Sequence, residues 1–239
     1  AFPPLHGILC CAGVLQTHGS KVSEDGIEMT FQVNHLSHFL LINKLLPHMK
    51  YPGKIVLVSC EAHNPKKRTG FPKPKVTTAQ ALSYPRLHGS KVNSVRQGKE
   101  AYADSKLSNI WTGYHLARLL RAKDIKPSQI SCNIFDPGFM KTGLWRNCSS
   151  SRRYLHKNRL RLLNLLCESN VQSASKSGAN LTRLFTNQQF DKVSGKYIVG
   201  TRLRKSSTDS YSVRKARRMW RGTAELLELD PTLPLLVKM

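Results

Sequence analysis

Residues 53–63, GKIVLVSCEAH, hold four apolar side chains in an unbroken row, Ile55 to Val58, entered through the turn signal Pro52-Gly53. A short apolar run without polar alternation reads as a strand buried on both faces, as in parallel sheets. LHGILCCAG at 5–13, ending at Gly13, QISCNIFDPG at 129–138, closed by Pro137-Gly138, and SGKYIVG at 194–200 read the same way. Helical patterns lie between them. Residues 23–50 place Phe31, Leu36, Phe39, Leu40 and Leu46 near helical spacing, and a stripe from Tyr102 through Leu107, Ile110, Trp111, Tyr114 and Leu119 marks a second helix. A third helix starts near Ala174, and Val213, Ala216, Trp220, Ala224 and Leu227 mark the last. Strands alternating with helices predict an α/β fold, a doubly wound parallel sheet with its sites at the carboxyl ends of the strands.

At 239 residues and 40% hydrophobic content, the chain is sized for one domain over 1–239, with a basic, Pro- and Gly-containing insertion at about 64–98. No stretch of about 18 or more apolar residues is present. The six cysteines lack metal-ligand spacing. Cys10 and Cys11 point to opposite faces if their run is a strand, so no metal site is expected. Scattered cysteines read as reduced thiols, which suits a cytoplasmic protein or one on the cytosolic face of an internal membrane such as the endoplasmic reticulum.

The formal net charge of +24 favours anionic partners. Much of it sits in SRRYLHKNRLRL at 151–162, TRLRKSS at 201–207 and VRKARRMWR at 213–221. An anionic membrane surface fits such segments. Specific nucleic-acid binding is not expected, because no recognition helix, zinc-finger spacing or RNA-binding motif accompanies the charge.

In KEAYADSKLSNI, residues 99–110, Tyr102 and Lys106 share one helix face. A free phenol has a pKa of about 10, and a neighbouring ammonium favours its ionised form, bringing it toward service as a proton carrier. Taken with CCAG, FQVNHLSHFLL, KIVLVSCEAH and DPGFMKT, in that order, the chain resembles the short-chain dehydrogenase/reductase family, and specifically its retinol dehydrogenase-like branch. The resemblance implies a Rossmann-like fold and NAD- or NADP-dependent interconversion of hydroxyl and carbonyl groups. The substrate it implies is lipophilic, of the retinoid, polyprenol or steroid class.

By resemblance, Tyr102 is the catalytic acid/base, and Lys106 lowers its pKa and holds the nicotinamide ribose. Asn34 supports a relay water. Ala12 and Gly13 line the cofactor, and Pro137, Gly138 and Thr142 meet the nicotinamide. A homodimer is among the partners the resemblance allows.

Three departures accompany the likeness. The family's first strands and glycine-rich turn do not precede residue 5, so an amino-terminally truncated member with an open apolar sheet edge is expected. Cys10-Cys11 stands where the family carries two asparagines. Cys60 stands where it carries its catalytic serine, with Ser59 turned away by strand alternation; Lys106 beside it is expected to draw Cys60 toward thiolate. These departures favour the alternative of a catalytically impaired relative that serves as a binding or scaffold protein.

Overall fold

The structure is a computed structural model and describes residues 3–16, 21–67, 69–75, 78–85, 95–140, 144 and 172–232. Its centre is a five-stranded sheet whose spatial order equals its chain order: β1 (Leu5–Cys10), β2 (Met49–Val58), β3 (Ile130–Asp136), β4 (Tyr197–Val199) and β5 (Arg202–Arg204). The first four strands are parallel and β5 returns antiparallel to β4. A helical run joins β1 to β2: α1 (Met29–Phe31), a π-helical turn at Gln32–Leu36 and α2 (Ser37–Leu45). The short α3 (Ala79–Ser83) and the long α4 (Val95–Ala122) precede β3. Further on come α5 (Ala174–Thr186) and α6 (Val213–Leu226).

The apolar runs of β2 and β3 have the predicted cause, because both faces of these strands are covered, whereas β1, read the same way, buries Ile8 and Cys10 and leaves His6, Gly7 and Leu9 exposed. Ile55 and Leu57 of β2 join Ile130 and Cys132 of β3 against Phe39, Ile42, Leu116 and Trp220. Val56, Val58 and Phe135, pointing the other way, pack with Leu184 of α5, Phe190 and Ile198. Gly113 sets the depth of α4: a Cβ there would stand 3.0 Å from Ile134 Cδ1 and 3.4 Å from Leu57 Cδ1. The helix therefore lies close on β2 and β3, which fixes the height of Tyr102 and Lys106 above the strand ends.

Several boundaries differ from expectation. Met49 and Lys50 belong to β2 instead of the preceding helix, and Glu61–His63 is a single 3₁₀ turn instead of strand. Residues 95–98, read as the end of the basic insertion, are the first turn of α4, and α3 interrupts the rest of that insertion. Strand β5 was not predicted, since its three residues Arg-Leu-Arg are all exposed and carry no apolar run. Val213 is 57% exposed because it opens α6; Ala216, Trp220 and Ala224 of the predicted stripe are buried, and Leu227, just past the helix, packs half-buried against the core. Strand β1 is bonded to β2 along one side only among the described residues, and its Leu9 is 42% exposed. The basic segment 151–162 and the amphipathic pattern around Arg159 to Leu166 lie outside the described residues.

Candidate active site

Strands β1, β2 and β3 end side by side, and their carboxyl ends open into a cavity of about 420 Å³. Gly13 and Cys11 border it from beyond β1, Cys60 from beyond β2, Asp136, Pro137 and Gly138 from the end of β3, and Tyr102 and Lys106 from α4. Most of the remaining wall is apolar, with Phe71, Phe135, Phe139, Met140, Leu144 and Leu181 among its members. Ala12 is exposed and does not line the cavity. Thr142 lies outside the described residues.

Alternation along the β2 exit places Cys60 and Ser59 as predicted from strand geometry. Cys60 Sγ lies 3.7 Å from the Tyr102 hydroxyl, with the thiol donating, whereas the buried Ser59 hydroxyl donates to the Lys106 carbonyl at 2.8 Å. Lys106, 4% exposed, donates to the Val58 carbonyl at 3.3 Å and stands 5.4 Å from the centre of the Tyr102 ring. Its ammonium has three hydrogens and one acceptor among the described residues. A ribose hydroxyl can serve as a further acceptor there.

The electrostatics depart from two expectations, and burial is the reason in both. Tyr102 is held well above the ordinary phenol value, first by desolvation and then by Cys60 and Asp136. The ammonium of Lys106 stands over the ring rather than at the hydroxyl, so the expected lowering does not occur in this state. Burial likewise pushes the Cys60 thiol up to about 11, outweighing the opposing pull of Lys106. Cys60 is therefore a neutral thiol at physiological pH, not a thiolate. Lys106 itself is lowered by burial and partly restored by Cys60, Cys11 and Asp136.

Asn34 is drawn into the framework. Its side-chain oxygen accepts from the Val14 amide at 2.8 Å, and its amide donates to the Val14 carbonyl at 3.1 Å and to Ser105 Oγ at 3.0 Å. Its own carbonyl accepts from His38 Nδ1 at 3.0 Å and Asn109 Nδ2 at 2.9 Å. That carbonyl is thus engaged from two sides. The Asn34 side chain also fixes the main chain just past Gly13, at Val14. A Cβ on Gly13 would stand 3.4 Å from Asn34 Oδ1 and 3.7 Å from Lys106 Nζ, so the absence of a side chain keeps that corner open.

Sequence reasoning missed the roof over Tyr102. Phe71 packs on the Tyr102 ring with centroids 5.2 Å apart. Its segment is tied to α4 by Lys75 N–H donating to Asp104 Oδ1 at 2.7 Å, Lys75 Nζ pairing with Glu100 at 3.2 Å, and Lys99 Nζ donating to the Gly70 carbonyl at 3.1 Å. The carboxylates at 100 and 104, one helical turn apart and flanking Tyr102, were the available signal.

Burial lifts Asp104 to about 7, with the Lys75 amide opposing and Glu100 adding to the rise. Its folded value lies above the unfolded one, so its contribution to stability is complete below pH ~4 and is lost as pH rises through about 7. Asp104→Asn keeps an oxygen for the Lys75 amide and removes the charge. Thermal denaturation is expected to give the variant a higher Tm than the parent at pH 8, with the difference shrinking as pH is lowered toward 4. A difference independent of pH contradicts this.

Comparison with known proteins adds the context. No family model matches the chain. Polyprenol dehydrogenase of Danio rerio is 28% identical over 232 residues, covering 95% of this chain and 63% of that protein. Retinol dehydrogenase 13 of Homo sapiens is 29% identical over 212 residues, covering 87% of this chain and 56% of that protein. The chain thus spans less than two thirds of the length of these relatives. A Burkholderia cenocepacia short chain dehydrogenase, solved in complex with NADP, superimposes with a TM-score of 0.52 at 18% identity over 82% of this chain and 64% of its own. That likeness concerns the fold. With similarity to named dehydrogenases running along nearly the whole sequence and the matching sheet on the page, the chain is similar to short-chain dehydrogenases of the retinol dehydrogenase-like branch.

Proposed function

We propose that this chain carries the catalytic and substrate-facing part of an NAD- or NADP-dependent oxidoreductase that interconverts hydroxyl and carbonyl groups on a lipophilic substrate of the retinoid, polyprenol or steroid class. The supporting observation is the convergence of the Tyr102 hydroxyl, the Cys60 thiol and the Lys106 ammonium on one largely apolar cavity. Apolar walls with a few polar groups at one end suit a hydrophobic molecule held by its single oxygen. Relatives named for polyprenol and retinol point to the same substrate class.

The nicotinamide end of the cofactor fits the residues present. Gly13 leaves an open corner between Asn34 and Lys106, Lys106 has donors to spare, and Pro137-Gly138 forms the facing wall. Gly138 adopts φ 79°, a left-handed conformation that favours glycine and lets the main chain border the cavity closely. When bound, a nicotinamide cofactor supplies the hydride or takes it up.

The protein's own groups do the remainder. Tyr102 gives its proton to the substrate oxygen on reduction and removes it on oxidation. Lys106 binds and orients by its positive charge, while Cys60 faces the same oxygen with a weak donor. Phe71 and the apolar wall exclude water. Since the chain spans less than two thirds of the length of its relatives, turnover is proposed for the whole protein.

The test is reduction of a polyprenal- or retinal-like aldehyde with NADPH or NADH, using a form that carries a glycine-rich amino-terminal turn. Aldehyde-dependent oxidation of the cofactor is expected. Its absence with every aldehyde of the class, in a folded protein, opposes the reading. A second reading, a relative that binds its ligand without turnover, draws on the thiol in place of a hydroxyl and on the burial that holds Tyr102 protonated.

The charge fits a membrane-side setting, the cytosolic face of an internal membrane such as the endoplasmic reticulum. No described helix is long and apolar enough to cross a bilayer. Arg214, Arg217, Arg218 and Arg221 share the exposed face of α6, with Arg202 and Arg204 exposed on β5. Exposed charges are screened over about 10 Å at 0.1 M salt. Sedimentation with phosphatidylserine vesicles is expected to show adsorption that is lost as salt is raised, and weaker adsorption after four Arg→Gln changes on α6. Binding to neutral vesicles of equal strength contradicts the electrostatic origin.

A further inference from the structure

The acid that ends β3 has no part in the chemistry assigned above. Asp136 is 0% exposed yet borders the cavity, and a buried carboxylate needs partners for its oxygens. Oδ2 accepts from the Tyr197 hydroxyl of β4 at 2.6 Å, and Oδ1 accepts from the Gly138 amide at 2.8 Å. The Tyr197 ring lies 5.2 Å from the His63 ring. His63 donates from Nδ1 to the Cys60 carbonyl at 2.6 Å and accepts at Nε2 from the Ser207 amide at 3.0 Å. From the far side, Ser177 of α5 donates to the Pro137 carbonyl at 3.0 Å. Side chains from β3, β4 and α5, together with the turn after β2, thus converge on Pro137-Gly138 and on Cys60.

We propose that Asp136, held by Tyr197, is a positioning residue of this site: its carboxylate fixes the Pro137-Gly138 wall, and its charge acts across the cavity on Tyr102, Cys60 and Lys106. This inference rests on the oxidoreductase reading and deepens it. The titratable groups facing Asp136 are Cys60 and Glu61 beyond β2, Tyr102 and Lys106 on α4, and Tyr197 on β4. The contact from α5 is the uncharged Ser177.

Burial lifts Asp136 to about 6, opposed by the bonds from Tyr197 and Gly138 and by Lys106, while Glu61 adds to the rise. The carboxylate is therefore mostly ionised at neutral pH. Beyond the effect of burial, its charge raises Tyr102 and Cys60 further. The charge thus extends upward the pH range over which Tyr102 is present in its protonated form.

Asp136→Asn retains an oxygen for the Gly138 amide and removes the charge. In the 239-residue chain, iodoacetamide alkylation at pH 8, resolved by peptide mass spectrometry, is expected to be several-fold faster at Cys60 in the variant and unchanged at the buried Cys10 and Cys132. An unchanged Cys60 rate overturns the proposal. So does a parallel rise at all three cysteines, because that reports a loosened fold rather than a charge. Tyr197→Phe removes the donor that favours the carboxylate, so it is expected to give a smaller change of the same sign; if Asp136→Asn does not fold, this variant decides. In a turnover-competent form, the pH midpoint of kcat/KM for alcohol oxidation is expected to move lower in Asp136→Asn, and an unmoved midpoint overturns the proposal. A parent without turnover counts against the oxidoreductase reading, while alkylation still decides the role of Asp136.

Discussion

Tyr102→Phe is expected to lower turnover by about a hundred- to ten-thousand-fold, the usual range for losing a general acid/base. The change removes one oxygen and leaves the packing intact. The ring stays packed against Phe71 and beneath Lys106, so Tm and substrate binding are expected to move little. The partner lost at the hydroxyl is the thiol of Cys60 at 3.7 Å, a weak hydrogen bond. The measurement is kcat with a retinal-like aldehyde and saturating cofactor. Full activity in the variant removes Tyr102 from the chemistry.

Cys60→Ser is expected to act in the opposite direction, raising kcat by roughly ten- to a hundredfold. A hydroxyl aimed at the developing alkoxide contributes on the order of 1–3 kcal/mol to the transition state. The thiol supplies less because sulfur donates weakly. It is not hindered by ionisation, since burial keeps it neutral. Ser59 is no substitute, as its hydroxyl is spent on the Lys106 carbonyl. Ser59→Ala is accordingly expected to act by loosening α4 against β2, as a fall in Tm. A kcat collapse in Ser59→Ala with no response to Cys60→Ser contradicts this assignment.

The layout of the sheet was legible because burial on both faces leaves an unmistakable signature: Ile55-Val56-Leu57-Val58 divides its side chains between two cores. Strand alternation likewise foretold that Cys60 faces Tyr102 while Ser59 does not. Electrostatic states were less legible. A Tyr-Lys pair at i, i+4 suggests a lowered phenol pKa, but the outcome depends on how deeply the pair is buried and where the ammonium points, and both are set by tertiary packing. Asn34 illustrates the same limit: its residue type was read, yet its bonds to Val14, Ser105 and Asn109 come from distant parts of the chain. Asp136 closes the third predicted strand, but its role was not legible because the tyrosine that holds it comes from β4. Thin, exposed elements such as β5 leave no hydrophobic pattern to read.

The most direct test of the reaction centre is isotope transfer. A form carrying a glycine-rich amino-terminal turn is incubated with NADPH or NADH deuterated at the transferring carbon of the nicotinamide and with a polyprenal-like aldehyde, and the alcohol is analysed by mass spectrometry. The expected result is one deuterium on the carbinol carbon of the product, lost together with turnover in Tyr102→Phe. Cofactor oxidation without deuterium in the alcohol, or undiminished transfer in Tyr102→Phe, would contradict a hydride-transfer site built on Tyr102 and Lys106.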